Sequence, residues 1–175
     1  PFFAYLPFLA IHIPVQAPEA FVRKYEATYL DGWAAQRARR RDGAIRAGLV
    51  APDAPMGPPP ASVADWNALT PDEQALAARN MAVNAGMLEA MDHHLGRLVE
   101  HLKARGQYEN TLFVVLSDNG PEAGDPTANS LFRAWMRRQG YSQSVETLGG
   151  PGTFGAIGPG WASAAAAPGA LYKFY

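Results

Sequence analysis

No cysteine occurs among the 175 residues, which excludes disulfides, thiolate zinc sites and a cysteine nucleophile within this chain. Net charge is equally scarce. Fifteen Lys and Arg against sixteen Asp and Glu leave -1, too little to draw in a phosphate backbone, so nucleic acid is not an expected partner. No apolar run approaches the ~20 residues that cross a bilayer, and the start has no basic flank followed by a small-residue cleavage site. Neither a membrane span nor a signal peptide is expected. Seventeen Gly and fifteen Pro make loops abundant, in a length that suits one domain with one core. The chain opens directly on Pro1-Phe2-Phe3-Ala4-Tyr5-Leu6, with no initiator Met and no preceding turn. Both ends read as cut, and an internal segment of a longer protein is expected.

The run from Phe2 to Ile11 is apolar and aromatic, the pattern of an inner strand covered on both faces. Pro7 cannot donate to a ladder, so the regular strand should precede it and the chain should leave the sheet near Ala10 to Pro14. His12 then lies just past a strand's C-terminal end. Helical spacing predicts a surface helix over about Trp33 to Ala47, whose Arg37, Arg39, Arg40 and Arg41 read as a solvated face. From Ala51 to Ala61 the density of proline predicts an extended connection within one domain. Thr70-Pro71-Asp72-Glu73 supplies a cap, a proline at the first helical position and a Glu that closes a capping box. Apolar residues at Met81, Ala85, Leu88, Met91, Leu95, Leu98 and Leu102 then keep helical spacing up to Gly106, a natural stop. Thr111 to Leu116 is a β-branched, apolar run ending at Ser117-Asp118-Asn119-Gly120. The fold class is therefore α/β. The runs Phe2 to Phe8 and Thr111 to Leu116 are expected as strands of one sheet, with the Pro71 to Arg105 helix on its face.

Ligands in open α/β sheets gather at the C-terminal ends of strands, where both His12 and Asp118-Asn119 fall. A carboxylate beside an amide offers oxygen donors to a hard cation such as Ca²⁺ or Mg²⁺. The same residues are also ordinary turn formers, and spacing by itself favours the turn. A histidine such as His12, taken alone, is more often structural. The cluster Asp92, His93, His94 and His101 is the other metal candidate. His94 and His101 share a helix face, but His93 and His94 point about 100° apart, and zinc requires three or four converging ligands. A structural role is expected for that cluster.

Several segments, in order, resemble type I sulfatases. Phe2-Phe3-Ala4-Tyr5 leading to Ile11-His12-Ile13-Pro14-Val15-Gln16-Ala17-Pro18 is similar to the aromatic strand that ends at an active-site histidine in that family. Ala85 to Asp92 with Gly96-Arg97-Leu98 is similar to the helix before its metal-binding strand. Gly106 to Thr111 followed by Phe113 to Gly120 resembles that strand and its ligands. Ile157-Gly158-Pro159-Gly160-Trp161-Ala162 with Leu171-Tyr172-Lys173-Phe174-Tyr175 resembles the arylsulfatase branch, as in bacterial-type arylsulfatases of the alkaline phosphatase superfamily.

The resemblance implies an alkaline-phosphatase-like α/β/α sandwich with a mixed sheet, present only in part, residues 1–175 being the central part of a catalytic domain. It implies a sulfuric ester hydrolase acting on a small-molecule sulfate ester. Asp118 and Asn119 would ligate Ca²⁺, and Asp118 would also orient or deprotonate the nucleophile. His12 and Lys173 would bind the sulfate and stabilise or protonate the leaving oxygen, as suits a transition state that gathers charge on its outer oxygens. The family's nucleophile is a formylglycine made from Cys or Ser in a Cys/Ser-x-Pro-x-Arg motif. No such motif occurs here, so the nucleophile is expected outside this chain and these residues alone are expected to be inactive. A periplasmic or cytoplasmic bacterial location is what the resemblance suggests. The alternatives are a phosphomonoester or phosphonate-ester hydrolase of the same superfamily, or a noncatalytic binding module using the Arg37 to Arg41 run with an exposed Trp33 and Trp66.

Overall fold

A computed structural model of the protein describes residues 1–173. The last two residues of the Leu171 to Tyr175 motif lie outside that range. Five α-helices carry the fold: α1 (Glu19–Val22), α2 (Gly32–Arg46), α3 (Pro71–Ala104), α4 (Ser130–Arg138) and α5 (Gly158–Ala166). Short 3-10 turns occur at Arg23–Tyr25, Trp66–Ala68, Tyr108–Asn110 and Pro126–Ala128.

Helix α3 begins and ends as its sequence dictates. The Thr70 hydroxyl accepts from the Glu73 amide, and the Glu73 carboxylate accepts from the Thr70 amide at 2.8 Å, closing the capping box. Two N-terminal donors are thereby satisfied. At the other end Gly106 takes φ +64, a left-handed conformation that glycine adopts without a Cβ penalty. The 34 residues between run unbroken, a rod of roughly 50 Å at 1.5 Å per residue.

The core forms where the first half of α3 meets α1, α2 and α5. Val22, Ala78, Met81, Ala82, Val83 and Met87 pack with Tyr29, Trp66, Trp161 and Ala164. Helix α1 lies on α3, and α2 lies on α5. Gly32 opens α2 at φ +85, and a Cβ there would lie 2.4 Å from Trp66 Cγ, so the helix start and the indole fit only because a side chain is missing. Lys24 and Tyr25 both bond to Glu89 on α3, holding its carboxyl below and the Tyr25 hydroxyl above their ordinary ranges.

The expected sheet is not formed among the described residues. Phe2 to Phe8 and Thr111 to Leu116 are both irregular, and the only bridge pairing among the described residues is an isolated parallel contact between Ser142 and Thr153. Both runs are exposed, with Phe3 at 92% and Leu112 at 89%. The physical reason is pairing. An inner strand needs a neighbour on each edge, and a lone two-stranded pair is marginal even when its sequence is ideal. Two candidate runs cannot supply those neighbours to each other, and α3 accordingly packs on helices instead of on a sheet.

The Arg run also departs from a purely solvated face. Arg37 is 5% exposed, whereas Arg39 and Arg40 face solvent. Trp66 is 7% exposed and Trp33 is half-buried. These indoles stack edge-on at 4.8 Å, which removes them from the contact surface that the binding-module alternative requires.

Candidate functional site

The Asp118–Asn119 turn is tied locally and joined to the far end of the chain. The Ser117 hydroxyl donates to the Asn119 carbonyl at 2.7 Å, and both Asp118 and Asn119 are exposed. The Lys173 amide donates to the Pro121 carbonyl at 3.0 Å. Gly120 lies against the same segment, where an added Cβ would be 3.5 Å from the Lys173 nitrogen. The Lys173 ammonium sits 3.1 Å from the Glu122 carboxylate. The segment carrying Lys173 thus meets residues 120–122, which directly follow Asp118 and Asn119 in the chain.

What holds the Lys173 segment there is a relay from α2. Arg37 donates to the carbonyl and hydroxyl of Ser163 on α5, at 2.8 and 2.6 Å, and to the Gly57 carbonyl in the proline-rich connection. Gly57 in turn donates from its amide to Pro168 at 2.8 Å. Tyr172 is buried, and its hydroxyl lies 3.3 Å from the hydroxyl of Ser62, the residue just after that connection. Arg41, one helical turn after Arg37, donates to the Ala54 carbonyl at 2.7 Å. The four-residue spacing of Arg37 and Arg41 puts them on one helix face, and that was the sequence signal separating them from Arg39 and Arg40.

His12 lies in an exposed loop. Its ring Nδ1 is 2.7 Å from the Ile13 carbonyl. A carbonyl only accepts, so Nδ1 carries the proton of this contact. The residues after it are fixed to a single loop: Val15 donates to Gly155 and Ala17 to Gly149, each at 3.0 Å, while the Gln16 amide reaches Thr153 at 2.9 Å. The His12 amide donates to the Leu9 carbonyl at 2.8 Å within the same loop.

The helical histidines make other contacts. The His93 ring packs on Phe21 at 5.6 Å and on His94 at 5.2 Å. His94 Nδ1 lies 3.1 Å from the Arg97 guanidinium, which can only donate, so this nitrogen serves as an acceptor. Among the described residues no group of three or more His, Asp or Glu side chains is assembled for a metal ion. The donor chemistry of Asp118 and Asn119, a carboxylate and an amide oxygen, fits a hard cation. Their number falls short of the six to eight oxygens that Ca²⁺ takes, so they fit it as part of a larger donor set. No described helix is long and apolar enough to cross a membrane.

Similarity to known proteins bears on the whole arrangement. An uncharacterized sulfatase of Schizosaccharomyces pombe is 36% identical over 177 residues, covering 98% of this chain and 31% of its own length. An arylsulfatase of Klebsiella aerogenes is 35% identical over 177 residues, covering 98% of this chain and 36% of its own length. The chain spans about a third of the length of these curated relatives. The sulfatase family model matches residues 1–152, a stretch that includes His12, Asp118 and Asn119. With the greater part of its length matched in this way, the chain belongs to the sulfatase family.

Proposed function

We propose that residues 1–175 are the central part of a sulfatase catalytic domain, and that the whole protein hydrolyses sulfuric esters, with an aryl sulfate as substrate. The observation that carries this reading is the junction of Gly120 and Pro121 with Tyr172 and Lys173, which sets an ammonium-bearing segment beside a carboxylate–amide turn. Family membership and an arylsulfatase relative support the same reaction class.

In this reading Lys173 and His12 bind the sulfate group. Lys173 supplies fixed positive charge to the outer oxygens, and His12, when its ring carries a proton on both nitrogens, delivers the one on Nε2 to the departing oxygen while Nδ1 stays bonded to Ile13. Asp118 and Asn119 contribute oxygen ligands to Ca²⁺, which when bound offsets negative charge at the reacting group. Asp118 also orients the nucleophile or accepts its proton. The nucleophile itself, a formylglycine in the family, comes from outside these residues, because no Cys/Ser-x-Pro-x-Arg motif occurs among them.

The test is hydrolysis of an aryl sulfate and the matching aryl phosphate by the full-length protein, measured side by side. Preference for the sulfate is expected. A dominant phosphatase activity would replace this reading by the phosphomonoester or phosphonate-ester alternative.

A further inference from the structure

We propose that Glu122 is a positioning residue that aims the Lys173 ammonium, an inference that rests on the role given to Lys173 above. A lysine side chain is a point charge on a flexible four-carbon stem, so an ammonium meant for one anion has to be held in place. Glu122 is suited to this because its two oxygens are divided. Oε2 lies 3.1 Å from Lys173 Nζ, while Oε1 accepts from the Gly124 amide at 2.6 Å. The carboxylate is therefore anchored to its own main chain while it holds the lysine. Glycine at position 124 leaves room for this, since a Cβ there would stand 2.8 Å from Oε1.

The attachment has two points on consecutive residues. Pro121 accepts the Lys173 amide, and Glu122 takes its ammonium. Both charged side chains are largely withdrawn from solvent, at 19% and 23% exposure, so the pair is less screened than the other lysine–carboxylate pairs on the surface. Because Glu122 follows Asn119 by three residues, the turn that presents Asp118 and Asn119 also fixes where the ammonium points. Metal-ligand turn and sulfate-binding lysine are thereby locked into one register.

The experiment uses the full-length enzyme with Glu122→Gln, Lys173→Ala and the double variant, assayed for kcat and KM on an aryl sulfate and for thermal unfolding. Glutamine keeps an acceptor for the Gly124 amide and removes the charge that holds Lys173, so it separates the turn from the ion pair. Glu122→Gln is expected to lower kcat by about tenfold to a hundredfold, the scale of a misplaced catalytic group, with an unchanged unfolding midpoint. In the Lys173→Ala background it should lower kcat no further, since residues acting as a unit are not additive. Wild-type kcat in Glu122→Gln, or additive losses in the double variant, overturns the inference. A lower KM at unchanged kcat overturns it as well, because the carboxylate would then be a competitor of the substrate. Full activity in Lys173→Ala would instead remove the reading of Lys173 itself, which distinguishes the two failures.

Discussion

Arg37 and Ser163 are bound twice over: one guanidinium nitrogen reaches both the carbonyl and the hydroxyl of the serine, at 2.8 and 2.6 Å, inside the protein. Burial pushes the guanidinium below its ordinary pKa, yet arginine remains charged throughout the accessible range. The pair ties α2 to α5, and through Gly57 it ties both to the proline-rich connection.

Arg37→Met should therefore destabilise the fold by about 1–3 kcal/mol for each buried acceptor left without a donor. Arg37→Lys should recover only part of this, since an ammonium lacks the planar fork that reaches Ser163 and Gly57 together. Urea unfolding measures both, and a midpoint unchanged in Arg37→Met would show that the relay contributes nothing.

Trp161 is fully buried, with the rings of Tyr29, Trp33 and Trp66 at 5.4 to 5.7 Å and its Nε1 donating to Ala77 at 2.8 Å. Trp161→Ala should cost about 3–5 kcal/mol through the cavity it leaves. Trp161→Phe should cost less, because a ring remains and only the indole donor is lost. Calorimetric or denaturant unfolding of the two variants gives the order, and equal losses would contradict it.

The Glu73 carboxyl is held below its ordinary pKa, first by the Thr70 amide and then by the Thr70 hydroxyl. A depressed folded value means that the contribution is present above the unfolded carboxylate pKa and is lost as pH falls through the folded value. The start of α3 should thus loosen in the acid range below the ordinary glutamate pKa. Amide exchange at residues 71–74 followed down the pH scale should show this, and Glu73→Gln should flatten the dependence.

On the proposed reading, Lys173→Ala in the full-length protein should lower turnover by orders of magnitude, as loss of one preorganised donor to a charged transition state costs about 2.7–4 kcal/mol. Asp118→Ala should in addition weaken Ca²⁺ binding, which isothermal titration with the metal reads independently of activity. Unaltered metal affinity in Asp118→Ala would take that carboxylate out of the ligand set.

Residues 1–175 purified alone should turn over no sulfate ester, because binding groups without a nucleophile cannot form the covalent intermediate. They should also bind a hydrophobic dye and self-associate, given the exposed Phe3, Leu9, Leu112 and Val115. Sedimentation and dye fluorescence test the second point, and a monodisperse monomer without dye binding would contradict it.

Much of the helical frame was legible because its signals are local. Thr70, Pro71 and Glu73 act within one turn, and Gly106 acts on its own backbone, so α3 could be bounded from sequence. The expected Trp33 to Ala47 helix differs from Gly32–Arg46 by one residue at each end. Helices α4 and α5 were not anticipated. Asn129 caps α4 by accepting from Leu131 and Phe132, a local signal that was there to be read, whereas α5 is alanine- and glycine-rich and owes its place to the burial of Trp161.

Sequence by itself determined the family, the order of the candidate site residues and the helices whose caps lie within a few positions of one another. The α/β fold of the sulfatase family goes with that membership, but the mixed sheet is not seen in the described residues, since a strand exists only through the partners it pairs with. Tertiary structure alone decided that Arg37 is a buried tie and Arg40 a solvated charge, that Trp33 and Trp66 belong to the core, and that Lys173 meets Pro121 and Glu122. Each of these depends on a partner distant in sequence: helical spacing groups Arg37 with Arg41 on one face, but only the closing of the chain on itself supplies Ser163 and Gly57 as the partners of Arg37.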